Sequence, residues 1–424
     1  MKKILSALVL ISSLILVACS EMTVYNQDTP ANLYVPASVD ESEEYAEIAE
    51  SPFIATADMP VSTFSTDVDT AAYSIIRRKL SDGQMPNVNA VRIEEMLNYF
   101  SYDLAAPEGD EAIRVTTEYA AAPWNPDHGL LLIGLKTPDI EYSASAPSNL
   151  VFLLDVSGSM GSDDKLPLLQ SAIRLLVDQL RPADRISIVV YAGASGVILD
   201  GGDVSDKDEI LDAIDGLHAG GSTAGGAGIN LAYQIAAKHY IEGGNNRVIL
   251  GTDGDFNVGV SSTAALENLI ESKRESGIFL SVLGFGVGNL TDDKMEALAD
   301  HGNGAYYYID SILEAKKVFL EELGGSLVTV AKDVKLQIEF NPLQVKGYRL
   351  IGYENRILSY EDFNNDEADA GDMGAGHEVI ALYEIIPVGS DETIDAIEYD
   401  LPEVLKYDGV NHADDLLTIS IRYK

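Results

Sequence analysis

The sequence predicts an α/β protein: an open, doubly wound, mostly parallel sheet inserted into a β-sandwich, with a small helical segment ahead of it. Three observations lead there. From Asn149 onward, strand-like apolar runs alternate with amphipathic helical runs. Several of those strands, "NLVFLLD" among them, are apolar without alternation, as expected when helices cover both faces of a sheet. After Gly325 the helical patterns stop, and "DVKLQIEF", "GYRLIGYE", "HEVIALYEIIPV" and "LLTISIRYK" have the patterning of sandwich strands.

The 424 residues suffice for two or three domains, each with its own core. Residues 1–18 combine Lys2 and Lys3 with an apolar run from Ile4 to Val17, too short to span a bilayer and typical of a secretory signal. The run ends in Leu16-Val17-Ala18-Cys19, which resembles the bacterial lipobox. That resemblance implies cleavage before Cys19 and lipidation of its thiol, which as the single cysteine has no disulfide partner. It further implies attachment to the cell envelope, and Ser20 in place of aspartate implies outer-membrane sorting. Several acyl chains would hold the protein to the lipid bilayer durably, because one chain anchors weakly.

Residues 19–57 are rich in Glu, Ser, Pro, Asn and Asp, with "VDESEEYAEIAES" at their centre, and are expected to form a solvated tether. The N-terminal flank, 58–145, begins with two helical patterns. "TDVDTAAYSIIRRKL" carries N-cap residue types and places Ile75, Ile76 and Leu80 on one side. "NAVRIEEMLNYF" repeats the pattern with Val91, Ile93, Met96, Leu97 and Phe100, leaving Glu94 and Glu95 to face Arg77 or Arg78. "AIRVTTEYAAAPW" and "GLLLIGLKTPD" follow as strands joined by a turn at "NPDHG". Two strands are too few for a stable domain, so they are expected to pair with strands from the C-terminal region, 326–424. That region stops inside a strand pattern at Lys424, which predicts further sequence beyond it.

The α/β unit, 148–325, runs through "NLVFLLD", "KLPLLQSAIRLLVDQL", "RISIVVYA", "DKDEILDAIDGL", "INLAYQIAAKHY", "RVILGTDG", "TAALENLIESKRESG", "IFLSVLGFGVG", "TDDKMEALADHG", "AYYYID" and "SILEAKKVFLEEL". In such sheets ligands bind beyond the carboxyl ends of the strands. Three loops converge on that edge: Asp155 to Ser159, the glycine-framed "GGSTAGGAG" with Ser222 and Thr223, and "LGTDGDFNVG" with Asp253 and Asp255. Carboxylates and hydroxyls without histidine or cysteine are hard oxygen donors, suited to magnesium or manganese rather than zinc.

A lone aspartate at a strand end is ordinarily a helix cap. Asp155-x-Ser157-x-Ser159, followed by a threonine loop and a strand-end Thr252-Asp253-Gly254, is far more specific. The set resembles the von Willebrand factor type A domain and its metal-ion-dependent adhesion site. The resemblance implies that Ser157, Ser159 and Thr223 ligate the cation and that Asp155 and Asp253 hold it directly or through water, with Ser222 competing for the threonine's place. It also implies that a partner protein's aspartate or glutamate completes the shell, and that the last helix, "SILEAKKVFLEEL", shifts on binding in some members. The flanks "FSTDVDTAAYSIIRRKLSDGQMPNVNAVRIEEMLNYFSYD" and "AKDVKLQIEFNPLQVKGYRLIGYENR" resemble those of a bacterial lipoprotein group carrying this domain, whose members usually continue further.

Charge and missing motifs exclude other classes. With 68 acidic against 28 basic residues and a formal charge of −40, the chain repels nucleic acid and anionic headgroups. The simplest meaning of that charge is solubility or a salty habitat. "DVDTAAY" follows a polar segment rather than a buried strand, so a helix cap outweighs a phosphatase nucleophile. "GFGVGN" has Asn289 where a dinucleotide fingerprint needs glycine. No phosphate loop or nucleophile elbow is present, and "HEVIAL" lacks a zinc helix's second histidine. "DGDFNVG" begins like a calcium loop, but Val258 and Ala264 replace its turn glycine and bidentate glutamate. The acidic loop after Glu361 is expected to be solvated. The chain is therefore expected not to be an enzyme. Two classes stay open: a metal-dependent protein-binding module, or an envelope assembly component whose metal site only stabilises loops.

Overall fold

A computed structural model describes residues 43–66, 69–140, 146–221, 225–254, 263–288, 290–322, 328–366, 368, 370–395 and 414–424. The N-terminal flank forms β1 (Ile54–Ala55), β2 (Val61–Ser65), helices α1 (Ala71–Ser81) and α2 (Ile93–Asn98), and strands β3 (Arg114–Ala122) and β4 (Asn125–Lys136). The α/β unit follows as β5 (Ser148–Asp155), α3 (Leu166–Gln179), β6 (Arg185–Tyr191), β7 (Ser195–Asp203), α4 (Lys207–Asp215), α5 (Gly225–Lys238), β8 (Asn245–Thr252), α6 (Thr263–Arg274), β9 (Ile278–Phe285), α7 (Asp292–His301), β10 (Tyr306–Ile309) and α8 (Ile312–Lys316). The turn after α8, Lys317–Glu322, is π-helical. The C-terminal region supplies β11 (Thr329–Ala331), β12 (Lys335–Phe340), β13 (Val345–Ile351), β14 (Ile357–Leu358), β15 (Met373–Gly374), β16 (Glu378–Pro387) and β17 (Leu417–Arg422).

The α/β unit is one six-stranded sheet in the order β10-β9-β8-β5-β6-β7. All its pairings are parallel except that of β7 with β6. β5 is buried along its whole length. Its Leu150, Phe152 and Leu154 belong to one core with residues of α3 and α4, while Val151 and Leu153 belong to a second core with residues of α5 and α7. That two-sided cover is why the strand lacks polar alternation. Helix α1 of the N-terminal flank joins the second face through Ala71 and Ile75.

The insertion expected from the two flanks is present. β4 pairs with β16, and β2 pairs with β12, so strands from before and after the α/β unit share both antiparallel sheets. The sheets run β1-β13-β16-β4-β3 and β14-β2-β12-β17. They face each other across aromatic side chains: Phe340 stacks on Tyr348 with centroids 4.1 Å apart, and Phe64 meets Tyr353 edge-on at 5.1 Å. β11 and β15 form a separate two-stranded ladder.

Four local expectations are corrected. The β3–β4 reversal falls at Pro123–Trp124, and "NPDHG" lies inside β4, opposite the β3 residues Ala121 and Ala122 between which the register shifts. β7 was not expected, because its glycines and aspartates disguise an edge strand with little to bury. Leu80 is exposed rather than aligned with buried Ile75 and Ile76. In α2 the burial is inverted: Glu94 and Glu95 are buried while Ile93 is exposed.

The inversion has an electrostatic cause. Glu95 accepts the Ala72 backbone N–H of α1 at 2.8 Å, supplying the end cap that Thr70 does not, and it pairs with Arg92. Arg92 also pairs with Asp292 of α7, with Glu296 at 3.9 Å. Arg356 from the C-terminal region pairs with Asp300 and reaches Asp69 and Glu296 at 3.4 Å. Both flanks are thus ion-paired to one helix of the inserted domain. Arg77 and Arg78 pair elsewhere, with Asp310 and Glu314 and with Glu43 respectively.

Candidate metal centre

Asp155 is the last residue of β5, and Asp253 follows the last residue of the adjacent parallel strand β8. Their register, Leu154 beside Gly251, brings the two carboxylates to the same end of the sheet. Both are buried. Oδ1 of Asp155 accepts the Ser157 backbone N–H at 2.7 Å, which folds the chain into a turn. Met160 plugs that turn into the core beside α3. The turn sets Oγ of Ser157 2.9 Å from Oγ of Ser159.

The Asp155 turn is tied to the glycine loop. The Gly158 N–H donates to Gly221 O at 3.1 Å, and the Gly220 N–H donates to Val156 O at 2.7 Å. The chain therefore enters the loop carrying Ser222 and Thr223 at this site; both residues, like Asp255 and Cys19, lie outside the described residues. Four of the five expected ligands are described, and the structure brings Asp155, Ser157, Ser159 and Asp253 to one edge.

The donor set fits a small divalent cation. Adjacent oxygens of a magnesium octahedron, roughly 2.1 Å from the ion, are about 3 Å apart, the spacing of the two serine hydroxyls. Oδ2 of Asp155 is buried and accepts no hydrogen bond of normal geometry from the described residues. Burial, opposed by the Ser157 hydrogen bonds and reinforced by Asp253, pushes the Asp155 carboxyl up to about 6. An acid left in that state gains most from a cation.

Sequence reasoning missed Lys165. Its ammonium donates to Oδ2 of Asp253 at 2.8 Å, and both groups are buried. The lysine stem lies over Gly286, at φ +73°, where an added Cβ would fall 2.2 Å from Lys165 Cε. The apolar neighbours in "KLPLL" mark a helix start and give no sign that this lysine turns inward to the opposite strand's acid.

The rear of the expected tether also differs. Between Glu43 and Thr56 the chain is anchored at both ends, with Glu43 and Thr56 buried and several residues between them exposed. Glu43 is buried in ion pairs with Arg78 at 2.8 Å and Lys79 at 2.9 Å. Glu44 runs beside Thr291 as a parallel bridge, and the Thr291 hydroxyl donates to Gly254 O at 2.6 Å, one residue beyond Asp253. Glu43 is thus neutralised by two cations of α1, while Glu44, Glu47 and Glu50 stay exposed.

A cavity of about 440 Å³ lies apart from the five expected ligands, between the inserted domain and the sandwich. Tyr99, Arg247, Tyr307, Lys317, Asp372 and His377 are among its walls. The end of the acidic loop, Ala370 to Glu378, closes one side, so that stretch is structural rather than free in solvent. Among the described residues, Asp69, Glu95 and Glu296 have carboxylates close enough to share a cation. Arg92 and Arg356 already supply positive charge there.

Three family models match the chain: residues 149–321 match the von Willebrand factor type A domain, 39–132 a model described as von Willebrand factor, and 325–424 the C-terminal region of the uncharacterized protein YfbK. YfbK of Escherichia coli K12 is 47% identical over 362 residues, covering 84% of this chain and 63% of the relative. The chain thus spans less than two thirds of that relative's length. Among solved structures, a von Willebrand factor type A protein from Catenulispora acidiphila is 20% identical, covers 66% of each chain and has a TM-score of 0.42. Proximal thread matrix protein 1 from the mussel byssus, solved with a zinc-occupied adhesion site, is 20% identical over 46% of this chain and 48% of its own, with a TM-score of 0.37. The chain is a bacterial-type protein built around a von Willebrand factor type A domain set between flanks like those of YfbK.

Proposed function

We propose that the chain is a metal-dependent protein-binding module of the bacterial cell envelope. Magnesium or manganese is held by Asp155, Ser157, Ser159, Thr223 and Asp253, and an aspartate or glutamate of a partner protein completes its shell. The observation that carries this reading is the pairing of two hydroxyls at octahedral spacing beside the buried carboxylate of Asp155 at the sheet edge. Neutral hydroxyls leave much of the cation's charge uncompensated, so an incoming carboxylate is attracted rather than repelled. Acylation of Cys19 fixes the protein to the lipid bilayer, most simply the outer membrane. Nucleic acid is not a partner, given the formal charge of −40.

The test is capture from envelope extracts on immobilised protein with magnesium, with chelator, and with Asp155→Ala. A partner retained only by metal-loaded wild type supports the reading. Identical capture in all three arms refutes it.

A further inference from the structure

We infer that Lys165 is a built-in counter-charge of the metal centre: it weakens the grip on the cation and keeps the loaded site net positive, favouring an anionic ligand. This rests on the metal-binding reading above. The two carboxylates Asp155 and Asp253 would by themselves neutralise a divalent ion. The buried Lys165–Asp253 pair, at 2.8 Å with side-chain exposures of 7% and 0%, adds a positive charge that cannot be screened by swinging into water. With Lys165 in place, the ion and the three side chains sum to one positive charge.

The geometry holds the lysine there. Its backbone begins α3, with the Leu169 N–H donating to Lys165 O at 2.8 Å. Its stem occupies the space over Gly286 that any side chain would fill. On the far side of that glycine, the Tyr308 hydroxyl donates to Gly286 O at 2.6 Å, fixing the surface on which the stem rests. Asp253 Oδ2 is thereby committed to the ammonium, which biases Asp253 toward holding the cation through water.

The test compares full-length wild type, Lys165→Met, Lys165→Gln and Lys165→Arg, each checked for folding by circular dichroism in chelator. Manganese binding is measured by calorimetry. Acetate binding to the manganese-loaded proteins is measured by water-proton relaxation, which falls when acetate displaces metal-bound water. Even at water's dielectric constant, a single positive charge roughly 6 Å from a divalent ion weakens its binding about ten-fold. The neutral variants are therefore expected to bind manganese at least about ten-fold more tightly, and acetate, with half the ion's charge, about three-fold more weakly, with Lys165→Arg close to wild type. A lysine that only supports the fold would instead weaken manganese binding when removed, and that result overturns the proposal. Unchanged affinity in both neutral variants overturns it too. If no form binds manganese, the metal-binding reading falls and takes this inference with it; binding by the neutral variants alone supports both.

Discussion

Replacing Arg92 by methionine removes the guanidinium that ties the N-terminal flank to the inserted domain. Arg92 is 5% exposed and pairs with Glu95 on its own segment and Asp292 on α7, with Glu296 close by. Methionine fills the volume but leaves those acids buried without their main cation. Glu95 keeps the Ala72 N–H, and Glu296 keeps Asn355 at 2.5 Å, so Asp292 bears most of the loss. Breaking one partner out of such a buried group costs about 3–5 kcal/mol. The two halves can be followed separately. The single tryptophan, Trp124, sits at the β3–β4 reversal of the sandwich and donates to Glu384 at 2.8 Å, so its fluorescence reports the sandwich. Ellipticity at helical wavelengths reports mainly the inserted domain. In urea, wild type is expected to lose both signals together, whereas Arg92→Met loses helix at lower urea than the tryptophan signal. Coincident transitions with a change below about 1 kcal/mol would refute the argument that this cluster couples the domains.

Two further outcomes follow from other buried positions. Burial, with Glu95 adding repulsion, raises the Glu94 carboxyl to about 7. The folded chain then holds a proton that the unfolded chain releases near pH 4.5, so this residue's contribution is greatest below that pH and is lost as pH rises through 7. The loss is of the order of 3 kcal/mol, and Glu94→Gln should flatten the urea midpoint between pH 5 and 7.5 by that amount. At Gly304 an added Cβ would lie 1.8 Å from Leu280 O, so Gly304→Ala should cost about 3 kcal/mol or more, read as a lowered melting temperature.

Legibility in the sequence followed the strength of the local signal. β5 was clear because eight buried residues with both faces covered leave no other periodicity, and the acid at its end announced the edge where a ligand binds. The sandwich was legible only as a need: β3 and β4 had to find partners, and β16 met that need through pairings no local pattern reveals. α2 misled because the Arg92 cluster, which reaches Asp292 of α7, outweighed its apolar stripe and buried Glu95, with Glu94 carried inward beside it. Glu43 misled for the same reason, since an acidic run looks solvated until Arg78 and Lys79 are seen beneath it. At the metal centre, Asp155, Ser157, Ser159 and Asp253 were visible because three of them sit within one turn and the fourth ends a strand. Lys165 was not, because its partner is 88 residues away in the chain.

The most direct test of the central claim is calorimetric titration of the chelator-treated chain with magnesium and with manganese, wild type beside Asp155→Ala. One saturable site in wild type, lost in the variant, is the predicted result. No binding by wild type, or equal binding by both proteins, would contradict it.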